Sequence, residues 1–327
     1  MAWNPSHVSY GSFGVSAPQD DSLFMSRKKS RLQVQLEYLL YRGVKRAVGA
    51  MSEESVMKWG TRVGALAAKV LKSRDRLGMR NLRKAFPERN EQELRQILDR
   101  CWRHFGREML YYLHVQSMSL QEIAARCPLI NAGLVDEGLT RGKGVMLLSA
   151  HFGGWEIGGL AVMAHVDKVR TVTRPLDNEL LDADLAKLRE STGAQVVDRR
   201  KAARFLLKSL AENAVLVLLV DQAVLPREGV LIPFLGRPAW TTDAPAKMAA
   251  KHGSTIVFVF CIPDGSGHRL EFEEPIRVDQ LSEEERDPVA LTKRINDIIS
   301  RRIAAWPELW LWMHDRWKGT GEGEANG

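Results

Sequence analysis

Val145-Met146-Leu147-Leu148-Ser149-Ala150-His151-Phe152-Gly153-Gly154-Trp155-Glu156 decides how this chain is read. The apolar run 145–150 has the length of a buried strand. An imidazole follows at its end, then two glycines, then a carboxylate five residues after the histidine. On a regular helix five residues turn through about 500°, which puts His151 and Glu156 on different faces. They meet only if Gly153 and Gly154 break the regular geometry, which glycine does at little steric cost. The chemical product would be an imidazole held by a carboxylate at one nitrogen and free to take a proton at the other, the general-base half of an acyl-transfer site. A histidine beside glycines at a strand end is more often structural than catalytic. The rest of the chain has to decide.

Working outward, apolar runs recur at 145–150, 169–173, 194–197, 214–220 and 255–262. Helical patterns lie between them, at 156–165, 179–192, 199–212 and 242–252. This alternation predicts an α/β fold with a largely parallel sheet flanked by helices. In such sheets sites gather beyond the carboxyl ends of strands. Two further strand ends carry polar groups. Arg174 and Pro175 follow the run 169–173, and a guanidinium is suited to phosphate or carboxylate. Asp221 and Gln222 follow 214–220, where a carboxylate must be solvated, paired or functional. Three strand ends thus bring His151, Arg174 and Asp221 toward one edge of the sheet.

The chain has 327 residues and a net charge of +7, with 27% charged and 45% hydrophobic residues. That is an ordinary globular composition. The charge is uneven: Arg27 to Arg107 holds 21 Lys/Arg against 8 Asp/Glu, so the remainder is acidic. Between those cations lie amphipathic helical patterns at about 32–51, 52–71 and 91–114, the first interleaved with Tyr38 and Tyr41. This suits an anionic membrane surface, and equally a surface helix packed on its own domain. No zinc-finger or RNP-type signature supports nucleic acid. No run of 18 apolar residues predicts a transmembrane helix. Three widely spaced cysteines show neither metal nor disulfide spacing. The organisation expected is a disordered arm over 1–26, where Met25 is an alternative start, then a basic, membrane-facing helical region over 27–127. An α/β core over 128–318 and a disordered tail over 319–327 complete it.

Two apolar stretches remain. Val230-Leu231-Ile232-Pro233-Phe234-Leu235-Gly236-Arg237-Pro238-Ala239 reads as a packed loop or as a wall for an aliphatic chain. Trp306, Trp310, Trp312 and Trp317 crowd 12 residues near the end and read mainly as core, with any exposed one suited to an interface.

His151-x4-Glu156, Arg174-Pro175, Asp221-Gln222, Pro233-Phe234-Leu235-Gly236 and Trp310-Leu311-Trp312 followed by Arg316-Trp317-Lys318 occur in that order. Arg80-Asn81-Leu82-Arg83, with Ala85-Phe86-Pro87, precedes them. Over about residues 35–318 the chain resembles the bacterial lipid A biosynthesis (lauroyl/myristoyl, late) acyltransferases, a family that includes phosphatidylinositol mannoside acyltransferases. The resemblance implies a mixed α/β core like that of the glycerolipid acyltransferases. It implies O-acyl transfer from an acyl-ACP or acyl-CoA thioester to a hydroxyl of a membrane glycolipid. A lipid A precursor is the first expectation, and a phosphoinositide mannoside or an aminolipid the alternative. The place of work would be the cytoplasmic face of the inner membrane, with peripheral or monotopic attachment, since many relatives carry an N-terminal transmembrane helix that is not evident here. The resemblance assigns His151 as general base and Glu156 as its partner. Arg174, Asp221 and Gln222 would be supporting residues, and the Gly153–Gly154 or Arg174 amides would serve the oxyanion. No metal or further cofactor is called for, because a thioester is already activated. The rival of another class is a peripheral membrane-binding protein with a decayed site.

Overall fold

The computed structural model describes residues 30–173, 176–190, 192–198 and 202–320. The expected N-terminal arm, Met25, most of the expected tail, and Arg174 with Pro175 lie outside the described residues.

Four helices open the described chain: α1 (Arg31–Gly49), α2 (Glu53–Val70), α3 (Lys72–Ala85) and α4 (Glu91–Val115). Their starts are written in the sequence. Ser30 and Asn90 cap α1 and α4 in reciprocal capping boxes with Gln33 and Glu93, and the Ser52 hydroxyl accepts from the Ser55 amide at α2. The helices pack backbone to backbone, for a Cβ on Gly64 of α2 would stand 2.0 Å from the Trp102 carbonyl oxygen of α4. Leu82, Leu98, Trp102 and Phe105 share one hydrophobic core with Met146, Phe258 and Trp310, so the helical half is fastened to the sheet.

The α/β part follows: α5 (Leu120–Arg126), β1 (Leu129–Ile130), α6 (Gly133–Thr140), β2 (Val145–Ser149), α7 (Trp155–His165), β3 (Val169–Thr173) and α8 (Glu179–Glu190). Then come β4 (Gln195–Asp198), α9 (Ala202–Ala211), β5 (Val215–Leu219), β6 (Val230–Phe234), β7 (Arg237–Thr241) and α10 (Ala244–His252). The chain finishes with β8 (Thr255–Asp264), β9 (Gly267–Arg277), α11 (Glu283–Arg286) and α12 (Pro288–Ala305). Every expected apolar run is a strand within a few residues of its expected ends.

Seven strands form one mixed sheet in the order β1-β9-β8-β2-β5-β3-β4. All its pairings are parallel except β8 with β9. The sheet is buried under helices, and β2 is buried at every residue, as its unbroken apolar run requires. The stretch expected as a loop at 230–239 is instead the antiparallel hairpin β6–β7. Its Ile232, Phe234 and Ala239 point inward, and Phe234 lies 5.5 Å from Trp310, so that face of the hairpin packs on the chain's own core while Leu231 on the other is exposed. Among the described residues no helix is long and apolar enough to cross a membrane.

Candidate active site

The register between β2 and β5 assembles the site. Ser149 stands opposite Leu219, and the Val220 amide donates to the Ser149 carbonyl at 3.0 Å. His151 and Asp221 each lie two residues further on, so parallel pairing carries them to the same level. His151 Nδ1 lies 2.9 Å from Asp221 Oδ1. The His151 backbone N–H donates to Asp221 Oδ2 at 3.0 Å, and the Trp310 indole N–H donates to the same oxygen at 2.7 Å.

A buried carboxylate with three donors is held as the anion. Burial alone would raise the Asp221 pKa, but the charge and hydrogen bonds of His151 and the indole outweigh it and bring it down to about 2. Burial also pulls the His151 pKa down; Asp221, and then the charge of Glu156, outweigh that, and the net direction is upward. With Nδ1–H directed at the carboxylate, Nε2 is the basic nitrogen. The Gln222 carboxamide N–H donates to it at 3.2 Å, and Gln222 Oε1 has no hydrogen-bond partner among the described residues. A carboxamide presents a donor at one end and an acceptor at the other, so turning it over would serve the imidazolium as well. The His151 side chain is 13% exposed, against 2% for Asp221.

The sequence expectations are met unevenly. Gly153 breaks the helix as expected, with φ +59°, and α7 starts only at Trp155. A Cβ at Gly153 would stand 1.8 Å from the Cys261 carbonyl oxygen, so no other residue fits this turn unchanged. The carboxylate expected to orient the ring was Glu156; the one at Nδ1 is Asp221, because strand register outranks closeness in sequence. Glu156 stands in the first turn of α7 and acts on the ring through its charge. The Gly153 and Gly154 amides, expected to serve an oxyanion, donate instead to the Leu309 and Cys261 carbonyls at 2.8 and 3.0 Å. They hold the turn and are spent. Arg174 lies outside the described residues.

Three features were missed. Trp310, read as core, is fully buried but holds the Asp221 carboxylate with its N–H. His314, buried and held neutral by a pKa that burial pushes down to about 3, accepts the Ala223 amide and so anchors the chain just past Gln222. Behind the turn, Glu108 of α4 and His268 of β9 form a buried pair at 2.7 Å, and a Cβ on Gly154 would meet both at 2.8 Å. The run of tryptophans was the signal for Trp310. Nothing local marks Glu108 or His268, which are 160 residues apart.

Known proteins similar to this chain carry acyltransferase names. The model of the bacterial lipid A biosynthesis acyltransferase family matches residues 25–319. The lipid A biosynthesis lauroyltransferase of Escherichia coli (strain K12) is 27% identical over 271 residues, covering 82% of this chain and 87% of its own. The phosphatidylinositol mannoside acyltransferase of Mycobacterium tuberculosis (strain CDC 1551 / Oshkosh) is 27% identical over 219 residues, 65% of this chain and 67% of its own. Among solved structures, a 1-acyl-sn-glycerophosphate acyltransferase from Thermotoga maritima aligns with 64% of this chain and 87% of its own. Its TM-score is 0.35 and its identity 16%, too distant to inform the site.

The turn itself is open to test. Gly153→Ala combines a left-handed backbone with a backbone collision, and is expected to lower stability by about 2–4 kcal/mol in urea unfolding. A loss below about 0.5 kcal/mol, within the range of an ordinary surface substitution, would show that the turn is not held as described.

Proposed function

The chain belongs to the bacterial lipid A biosynthesis acyltransferase family, and on that premise we propose that it moves a fatty acyl group from a carrier thioester, acyl-ACP or acyl-CoA, to a hydroxyl of a membrane glycolipid, a lipid A precursor first. The observation that carries this reading is the buried His151–Asp221 pair, with His151 Nε2 as its basic end. Acyl transfer to a hydroxyl needs that arrangement, because an alcohol oxygen attacks well only as its proton leaves. The rival of a peripheral membrane protein with a decayed site has no use for an intact buried relay.

In the proposed reaction the acceptor hydroxyl displaces Gln222 from Nε2. As its oxygen bonds to the thioester carbon, Nε2 takes the proton. Asp221 stabilises the resulting imidazolium, and the charge of Glu156 adds to it. The tetrahedral intermediate collapses with cleavage of the C–S bond, and the imidazolium returns the proton to the departing thiolate. The oxyanion needs donors. With the Gly153 and Gly154 amides spent, the candidates are the first-turn amides of α7, which no side chain caps, and Arg174. No metal or further cofactor enters this scheme. The match to a phosphatidylinositol mannoside acyltransferase favours a second acceptor class, a glycosylated phosphoinositide.

The same reading has the protein lie on the inner membrane at its cytoplasmic face. α1 exposes Leu32, Leu36, Leu39 and Leu40, the last at 70%, and α2 exposes Trp59, Val63, Leu66 and Val70. Apolar rows of this length on two neighbouring helices call for a cover. Arg31, Arg42 and Arg46 beside the first row, and Lys58, Arg62 and Lys69 beside the second, suit anionic headgroups. Tyr38 and Tyr41 stack at 6.4 Å, but the Tyr41 hydroxyl donates to Gln116, so it is fastened to its own domain and not to headgroups.

Two measurements test the proposal. Mass spectrometry of a membrane lipid extract incubated with the protein and mixed acyl-ACP and acyl-CoA donors is expected to show a new acyl ester. His151→Ala should reduce its formation by about 10²-fold or more. An ester on a phosphoinositide would select the second acceptor, and a His151→Ala variant of undiminished rate would remove the mechanism. In flotation with vesicles containing phosphatidylglycerol the protein is expected to float. Replacing Leu36, Leu39 and Leu40 by serine should release most of it, and unchanged flotation would move the membrane surface elsewhere.

A further inference from the structure

α4 carries Arg100, Arg103 and Arg107 at spacings of three and four, hence along one face. With Thr61 of α2, the end of β8 at Ile262 and Pro263, and Trp306, they line a cleft of about 300 Å3. The cleft backs onto the catalytic turn. Leu309, whose carbonyl holds the Gly153 amide, lines it, and so does His104, which lies against the Gly153 backbone.

The acyl-transfer scheme uses none of these cations, and their surroundings set two of them apart. Arg95 of the same helix is paired with Asp75 and Asp99, and Arg107 with Glu108. On the neighbouring helix Arg80 and Arg83 are paired with Asp315 and Glu91. Arg100 and Arg103 make no ion pair or hydrogen bond with a described residue. Solvated arginines on an exposed helix face are ordinary, so exposure alone means little. Two further observations single out this face. His104, 7% exposed and on the cleft wall, has Nδ1 3.5 Å from Glu108 Oε1 and no hydrogen-bond partner at Nε2 among the described residues. Buried polar groups are nearly always satisfied, so an unmatched one on a cleft wall marks a place for a ligand atom. Trp306, 42% exposed, lines the same cleft as the guanidiniums.

We propose that this cleft is a subsite for a phosphate ester, held by the Arg100 and Arg103 guanidiniums, with the His104 ring on its wall. Guanidinium forks match phosphate oxygens in pairs, which lysine cannot do. Glu308 also lines the cleft and opposes the anion, so it weakens binding and sets its limit. Under the acyl-transfer reading, on which only the choice of source rests, the phosphate comes from one of two molecules that must lie near the catalytic turn. One is the phosphopantetheine arm of the thioester donor; the other is the phosphorylated sugar headgroup of the acceptor.

Isothermal titration calorimetry with 4′-phosphopantetheine and, separately, with glucose 1-phosphate tests the subsite without any turnover. Saturable binding of at least one probe is expected, and the one that binds more tightly names the source. The double variant Arg100→Ala/Arg103→Ala should bind it about tenfold or more weakly, since two charge-assisted contacts are lost. Glu308→Gln should bind it more tightly. Both changes lie at the surface, and an unchanged thermal midpoint will show that the fold is retained. Absence of saturable binding for both probes, or an affinity that the double variant leaves unchanged, would overturn the subsite. Acyl transfer is not read in this titration, so a protein that binds phosphate but transfers nothing would refute the proposed activity and leave the subsite standing.

Discussion

A single buried carboxylate organises this molecule. Asp221 is 2% exposed and would be costly to ionise there alone. It is ionised because the His151 ring, the His151 amide and the Trp310 indole converge on its two oxygens. The donors arrive from two distant parts of the chain. The strand pair β2–β5 brings the first two, and the segment after α12 brings the third. The requirement runs both ways: Asp221 keeps the proton of His151 on Nδ1, which leaves Nε2 as the base.

The surrounding structure holds that convergence still. The turn after His151 is sewn to its neighbours by backbone bonds: Phe152 pairs with Trp310, Gly153 with Cys261, and the Leu311 amide donates to the His151 carbonyl. Asn81 of α3 ties the other side of the C-terminal segment, donating to the Trp312 and His314 carbonyls at 2.8 and 2.6 Å. Arg316, fully buried, donates to the Trp240 carbonyl and stacks on Phe234 at 4.4 Å. The residues that marked the family in the sequence, Asn81, Phe234, Trp310 and Arg316, are thus structural partners of one another around the site. This gives a physical reason for their appearing together.

Much of this was legible in the sequence. The apolar run before His151 specified a buried strand, and the glycines after it a break, because both signals are local. The alternation of runs gave a mostly parallel sheet with sites at strand ends. The order of the strands was not legible, and the order decides which polar end meets which. Glu156 was favoured over Asp221 because it was five residues away, yet Asp221, 70 residues away, lies on the adjacent strand. The Gly153 and Gly154 amides were offered to an oxyanion because nothing in the sequence says that Leu309 and Cys261 will claim them. β9 and the hairpin β6–β7 were overlooked for a related reason. β9 is half exposed with charged residues interleaved, and the hairpin is interrupted by prolines.

The account rests on Asp221 setting both the tautomer and the basicity of His151, and this can be measured without substrate. A titration of the ring-15N-labelled His151 signal by NMR, in the wild type and in Asp221→Asn, reads both at once. The neutral wild-type ring is expected to carry its proton on Nδ1 and to titrate above the ordinary value of about 6.5. In Asp221→Asn the larger opposing charge is gone and burial pulls against Glu156 alone, so the pKa is expected to fall. A wild-type ring protonated on Nε2, or a pKa that the substitution does not lower, would contradict the account at its centre.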